Sequence, residues 1–185
     1  MAGGKATRFK TKVEKALLEV GHKTLLQRSL ETLSLKEVTK VLVATSPHTP
    51  HTAEKAAQLG VEVIETPGEG YHEDVVHLLK TYPQLLTLNV DVPFVTRAHV
   101  ALLLKAFDGR SLAGVISASK VQGAPRENSL AMNDGGDEFA WVGLNIATPN
   151  PDTATFELDD PLLAVNINDE ADLAAANALA IDRGL

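Results

Sequence analysis

Leu85-Leu86-Thr87-Leu88-Asn89-Val90-Asp91-Val92-Pro93 is an apolar run that ends on a carboxylate and is closed by a proline. Leu85 to Val90 has the length of a strand, and segments of helical spacing flank it on both sides. It therefore reads as a buried strand with Asp91 at its carboxyl end. A helix over about Tyr71 to Thr81 precedes it. Thr96 is the expected cap of a second helix, which carries Val100, Leu103, Leu104 and Phe107 on one face.

The alternation continues outward. Leu25, Leu26, Ser29, Leu30 and Leu33 share a helical face, and Val41-Leu42-Val43-Ala44-Thr45 reads as another buried strand. A helix from about Thr52, its expected cap, stops at Gly60, and Val61 to Glu65 follows as a strand. Ala113 to Ala118 and Phe139 to Ala147 are further strands, and Asp169 to Arg183 is an alanine-rich terminal helix. Residues 119–138 break the pattern with Gly, Pro and Asn, including the turn signal Asn133-Asp134-Gly135-Gly136, and read as an irregular or hairpin insertion. No repeat and no linker divides the chain. Residues 1–185 are expected to form one α/β domain, a Rossmann-like, doubly wound, mostly parallel sheet with ligands beyond the carboxyl ends of its strands.

Composition narrows the partners. A net charge of −7 argues against a general nucleic-acid binder, and an aromatic content of 4% offers no platform for stacking bases. The absence of cysteine excludes disulfides, thiolate metal sites and cysteine nucleophiles. No apolar run approaches the roughly 20 residues that span a bilayer, and no basic, apolar leader precedes the domain, so the expected location is cytoplasmic.

Chemistry concentrates at the front. Ala2-Gly3-Gly4-Lys5-Ala6-Thr7-Arg8 is a glycine-rich stretch whose backbone N–H groups can approach phosphate oxygens, and Lys5, Arg8, Lys10, Lys12 and Lys15 form a local basic cluster. Lys15, flanked by Val13, Ala16 and Leu17, is either a solvated lysine or an inward-held cation that neutralises charge on phosphorus. Asp91 suits an oxygen ligand of Mg²⁺ at a strand end, or a turn carboxylate before proline. Asn166 and Asn168 alternate with Val165 and Ile167; Asn168 serves equally as a magnesium ligand or, like Asp169, as a helix cap. Gly68-Glu69-Gly70-Tyr71-His72-Glu73-Asp74 opens a helix with glycines that admit a base or ribose and with acidic first-turn charges. His72 and His77 lie five residues apart rather than four, which rules out a zinc-protease helix. Thr45-Ser46-Pro47-His48-Thr49-Pro50 is a stiff loop after a strand.

Together these residues resemble the nucleotidyltransferase superfamily that contains the molybdenum-cofactor guanylyltransferases and the sugar-phosphate nucleotidyltransferases. Gly3, Gly4, Lys5, Arg8 and Lys15 match its front signature, and Asp91 with Asn166-Ile167-Asn168 its magnesium positions. Residues 44–50, 68–74 and 166–172 are similar to the archaeal GTP:adenosylcobinamide-phosphate guanylyltransferases in particular, and Val142-Gly143-Leu144-Asn145 looks like the acceptor side. The resemblance implies a nucleotidyltransferase-type fold, with GTP and adenosylcobinamide phosphate as substrates and Mg²⁺ as cofactor. It implies catalytic roles for Arg8, Lys15 and Asp91, and nucleotide contacts from Ala2, Gly3, Gly4, Lys5, Thr45, Ser46, Gly70, Tyr71 and Asp74. Acceptor contacts would come from Gly143 and Asn145, and metal ligation from Asp91, Asn166 and Asn168. A molybdenum-cofactor guanylyltransferase, another NTP transferase with a phosphorylated acceptor, and a non-catalytic GTP-binding fragment stay open, as does a homodimer. Two departures stand out: Ala6 replaces a third loop glycine, and the family's first β-strand, which leads into the loop, is expected to be missing from this chain.

Overall fold

The structure, a computed structural model, describes residues 1–4, 9, 13–121, 130–132 and 136–185. A short hairpin of β1 (Glu19–Val20) and β2 (Lys23–Thr24) runs straight into helix α1 (Leu25–Thr32). Thr24 and Gln27 close a capping box there, the Thr24 hydroxyl accepting from Gln27 N and the Gln27 amide oxygen from Thr24 N. β3 (Leu42–Thr45), α2 (Pro50–Gln58) and β4 (Glu62–Glu65) form a parallel βαβ unit. Helix α3 (Tyr71–Leu79) leads to β5 (Leu85–Leu88), and α4 (Arg97–Ala106), capped by Thr96, leads to β6 (Ser111–Ser117). Strands β7 (Leu130–Met132), β8 (Glu138–Ala147) and β9 (Thr153–Glu157) precede the terminal helix α5 (Glu170–Asp182).

The larger sheet has the order β5-β8-β6-β9, with β7 also paired to β8. Only β8 runs against its neighbours there, so the α/β architecture with a mostly parallel sheet is as the alternation predicts. The antiparallel course of β8 has a local cause. Parallel neighbours need a crossover, usually helical, and the described residues between β6 and β8 hold only a 3-10 turn and β7. The turn expected at Asn133–Gly136 lies largely outside the described residues. Strand β9 was not anticipated: Thr153-Ala154-Thr155-Phe156-Glu157 is short, and only Ala154 and Phe156 are partly buried. Helix α2 starts two residues before its expected cap, because Pro50 takes the first helical position with its φ already suited to it.

Two apolar cores hold the layers together. One packs Val20, Leu25, Leu26, Val43, Phe94, Ile167 and Ala176 around β3, α1 and α5. The other packs Val100 and Leu103 of α4 against Leu88, Ile116, Val142, Leu144 and Ile146 of the larger sheet.

Between β3 and β5 the two sheets share no ladder. Among the described residues Met1 and Ala2 stitch them: Ala2 N donates to Ala44 O at 2.8 Å, Val90 N to Met1 O at 3.3 Å, and the Met1 ammonium to Leu88 O at 2.6 Å. Behind this stitch is a cavity of about 310 Å³ lined by Leu42, Ala44, Leu78, Leu86, Leu88 and Leu104 among others. No strand is seen there among the described residues. Enclosure of the ammonium lowers its pKa from 8.0 to about 6, partly countered by the charge of Asp91.

The sign of the linkage follows. Between pH 6 and 8 the unfolded chain holds a proton that the folded chain releases, so stability rises with pH across that window and the full penalty applies below it. Extending the chain before Met1 with Val-Ile-Val-Ile makes that nitrogen an amide and offers a strand to the cavity. The extended chain is expected to gain about 2–3 kcal/mol at pH 5.5 from the lost penalty alone, and to lose that part of the pH slope. Thermal melts of both chains at pH 5.5 and 8.5 check this; identical slopes refute it.

Candidate nucleotide site

The segments that follow β4 and β5 open into a cavity of about 510 Å³, within the ~300–1,000 Å³ range of small-molecule sites. Ala2, Gly3 and Gly4 form one wall, and Gly68, Glu69, Gly70, Tyr71 and Asp74 another. Lys15, Asn89, Asp91 and Asn168 line the floor between them. Lys5 and Arg8, with Lys10 and Lys12, lie outside the described residues.

Lys15 is held inward rather than solvated. Its Nζ donates to Asp91 Oδ2 at 2.9 Å and to Asn168 Oδ1 at 3.4 Å, and the two charged side chains are only 16% and 20% exposed. The other carboxylate oxygen, Asp91 Oδ1, is buried and has no hydrogen-bond partner among the described residues. An orphaned carboxylate oxygen is costly unless something else satisfies it. A hard cation that takes oxygen ligands fits this position, with Asn168 Oδ1 as a second donor; magnesium usually needs only one or two side chains beside phosphates and water. Helix α5 is capped by Asp169, whose carboxylate accepts from Ala171 N and Asp172 N, and this leaves the Asn168 side chain to the cavity. Asn166 is exposed and is not among the lining residues, because the backbone between it and Asn168 is not a strand.

The residue before Lys15 does the anchoring. Glu14 is 8% exposed, and its carboxylate accepts from His51 N at 2.9 Å, Thr52 N at 2.6 Å and the Thr52 hydroxyl at 2.5 Å. It thus supplies, from outside, the cap that α2 lacks from Thr49. In sequence Glu14 is one more charge next to Lys15, and nothing local marks it as a cap.

Thr45 and Ser46 lie behind the cavity and are not among its lining residues. Thr45 O accepts from both the backbone and the hydroxyl of Thr66, and the Ser46 hydroxyl donates to Gly3 O at 2.7 Å. Ser46 therefore spaces the two glycine walls. A Cβ on Gly68, whose φ is +72°, would come within 2.7 Å of Ser46 Cβ, so only glycine fits there. Asp74, 5% exposed, fixes the same turn by accepting from Gly68 N at 2.9 Å. Gly143 and Asn145 sit on β8, facing a second groove; Asn145 Nδ2 donates to the Tyr71 hydroxyl at 2.7 Å. Asn89 lines both spaces and went unremarked in the sequence, although an amide two residues before Asp91 in an apolar run was the available signal.

Residues 1–179 match the family described as the MobA-like NTP transferase domain. The chain belongs to this family of nucleotidyltransferases. Over 80 residues, 40% of this chain and 40% of the relative, it is 38% identical to the adenosylcobinamide-phosphate guanylyltransferase of Methanocaldococcus jannaschii. Among solved structures, a nucleotidyl transferase from Methanothermobacter thermautotroptrophicus is 16% identical with a TM-score of 0.70, covering 98% of this chain and 95% of that one. CMP:2-keto-3-deoxy-manno-octonic acid synthetase, complexed with CTP, is 16% identical with a TM-score of 0.66 and 93% coverage of both. These two likenesses show the fold. No helix among the described residues is long and apolar enough to cross a membrane.

Replacing Glu14 by Ala leaves the donors of His51 and Thr52 without their acceptor. It is expected to cost about 1–3 kcal/mol, or about 2–4 °C in Tm per kcal/mol for a chain of this size. Thermal denaturation of Glu14→Ala beside wild type measures it, and an unchanged Tm contradicts the capping role.

Proposed function

We propose that the chain transfers GMP from GTP to adenosylcobinamide phosphate, giving adenosylcobinamide-GDP and pyrophosphate. The observation that carries the transferase chemistry is the Lys15–Asp91 pair with its orphaned Asp91 Oδ1, set between two glycine-lined walls. Guanine and the cobinamide acceptor rest on the partial match to the Methanocaldococcus protein and on the similarity of residues 44–50, 68–74 and 166–172 to that group of enzymes.

In this reading the triphosphate lies between the Ala2–Gly4 and Gly68–Gly70 walls, where backbone can approach its oxygens closely. The acceptor phosphate is already ionised at neutral pH and needs no general base. Its oxygen attacks the α-phosphorus; the new O–P bond forms as the bond to the bridging oxygen breaks, and the electron pair leaves with pyrophosphate. Lys15 stabilises the charge that grows on the phosphoryl oxygens, and Asp91 orients Lys15. Asp91 and Asn168 would hold Mg²⁺, which when bound neutralises and aligns the phosphates. Arg8 and Lys5, which match the family's front signature in sequence, would add cations.

Pyrophosphate release should require GTP, adenosylcobinamide phosphate and Mg²⁺ together. Lys15→Ala should lower kcat by about 10²–10³-fold, and Asp91→Asn should raise the Mg²⁺ concentration needed for half-maximal rate. GTP binding without pyrophosphate release under these conditions would identify a non-catalytic binder, and release driven instead by molybdopterin would move the chain to the molybdenum branch.

A further inference from the structure

The two segments that carry Asp91 and Asn168 are joined beside the cavity and again at their far end. Beside the cavity, Ile167 N donates to Asp91 O at 2.9 Å. At the far end the join is His99, in the first turn of α4. Its Nδ1 accepts from Thr96 N at 3.1 Å, where the segment from Asp91 ends, and its Nε2 faces Asp160 Oδ2 at 3.5 Å, where the segment leading to Asn168 begins. Asp160 in turn caps the 3-10 turn Pro161–Ala164, its Oδ1 accepting from Leu162 N at 2.9 Å. Between these ends both segments are packed. Val92, Phe94 and Val95 are buried, Val95 O accepts from the Thr32 hydroxyl at 2.9 Å, and Leu163 sits in the core of the larger sheet.

Thr96-Arg97-Ala98-His99 is a capping box with histidine in the place where glutamate or glutamine is usual. Histidine there has a physical advantage. A carboxylate would stand against Asp160, whereas an imidazole offers an acceptor on one side and a donor on the other. Because Nδ1 accepts from Thr96 N, the proton of the neutral ring sits on Nε2, toward Asp160. Burial favours that neutral ring: with its side chain 12% exposed, His99 lies below the ordinary histidine pKa, and the charge of Asp160 opposes the shift only in part.

We propose that His99 is a positioning residue of the nucleotide site, holding the segments of Asp91 and Asn168 in register so that their side-chain oxygens converge on one cation. The proposal rests on the reading of those two residues as metal ligands. His99 does not line the cavity and acts only through them. The single backbone bond from Ile167 to Asp91 lets the two segments turn about it, and a second tie at a distance removes that freedom. The donor set is sensitive to such a turn: Lys15 Nζ already meets Asp91 Oδ2 at 2.9 Å but Asn168 Oδ1 only at 3.4 Å.

Mn²⁺ alone, which suits the same oxygen ligands, is the probe, and electron paramagnetic resonance counts the bound ion. His99→Ala and Asp160→Ser are each expected to raise the Mn²⁺ concentration for half-saturation by about 3- to 10-fold, the equivalent of one hydrogen bond. Serine keeps a cap for Leu162 N and no longer reaches the ring, so this variant separates the tie from the turn. His99→Gln retains an acceptor for Thr96 N and an N–H for Asp160, and should bind Mn²⁺ nearly as wild type does. The double variant His99→Ala/Asp160→Ser should be no weaker than the weaker single, since both remove one contact. A residue that merely stabilises α4 would lower the Tm of His99→Ala and leave Mn²⁺ binding unchanged; that result, or additive losses in the double variant, overturns the positioning role. If wild type binds no Mn²⁺, the metal reading fails instead, and amide hydrogen exchange decides the tie. Faster exchange over residues 161–168 in both His99→Ala and Asp160→Ser, with α2 unchanged, supports it, and unchanged exchange there overturns it.

Discussion

The half-buried ion pair between Lys15 and Asp91 ties the amino-terminal segment to the end of β5, and the geometry of the cavity depends on it. Removing one partner of a fully buried pair costs about 3–5 kcal/mol, because the other charge is left uncompensated. With the pair 16% and 20% exposed, water screens part of that cost, and the pair remains open to the cavity. Its arrangement is incomplete by design of the fold: Lys15 satisfies one oxygen of Asp91 and leaves the other without a partner among the described residues.

Adjacent charges in one short turn divide two tasks. Glu14 turns away from the cavity and caps α2, while Lys15 turns into it. The cap fixes the backbone at residue 14, which restricts where the next side chain can reach. Ser46 performs a comparable service on the other side, joining the Gly3 carbonyl to the region of Gly68 through a small side chain that tolerates no Cβ opposite it. Residues behind the cavity thus determine its width, and those lining it supply charge and backbone.

Much of the fold was legible because burial imposes periodicity. The apolar runs of β3, β5 and β6 and the helical faces of α1 and α4 show in the sequence since each must present apolar residues to a core. Strand β9 was not legible: it is a short edge strand whose alternation rests on Ala154 and Phe156 alone, both only partly buried. The direction of β8 was not legible either, as a strand's residues look alike whichever way it runs. In the candidate site, Asp91 and Lys15 stood out as charges within apolar surroundings. Glu14 and Asn89 did not, because their roles depend on partners 37 and 54 residues or more away, at His51 and Gly143.

The sequence by itself determined most of the elements, the glycine-rich stretch at the amino terminus and the set of polar residues at strand ends, since torsional freedom, helix caps and apolar spacing are local properties. Only the tertiary structure decided that Lys15 meets Asp91, that Asn168 joins them while Asn166 stays at the surface, and that Ser46 stands behind the wall rather than in it. It also decided that Tyr71 and Asn89 line both the cavity and the neighbouring groove. Those relations join residues far apart in the chain, and their distances are fixed by how the layers pack rather than by any spacing along it.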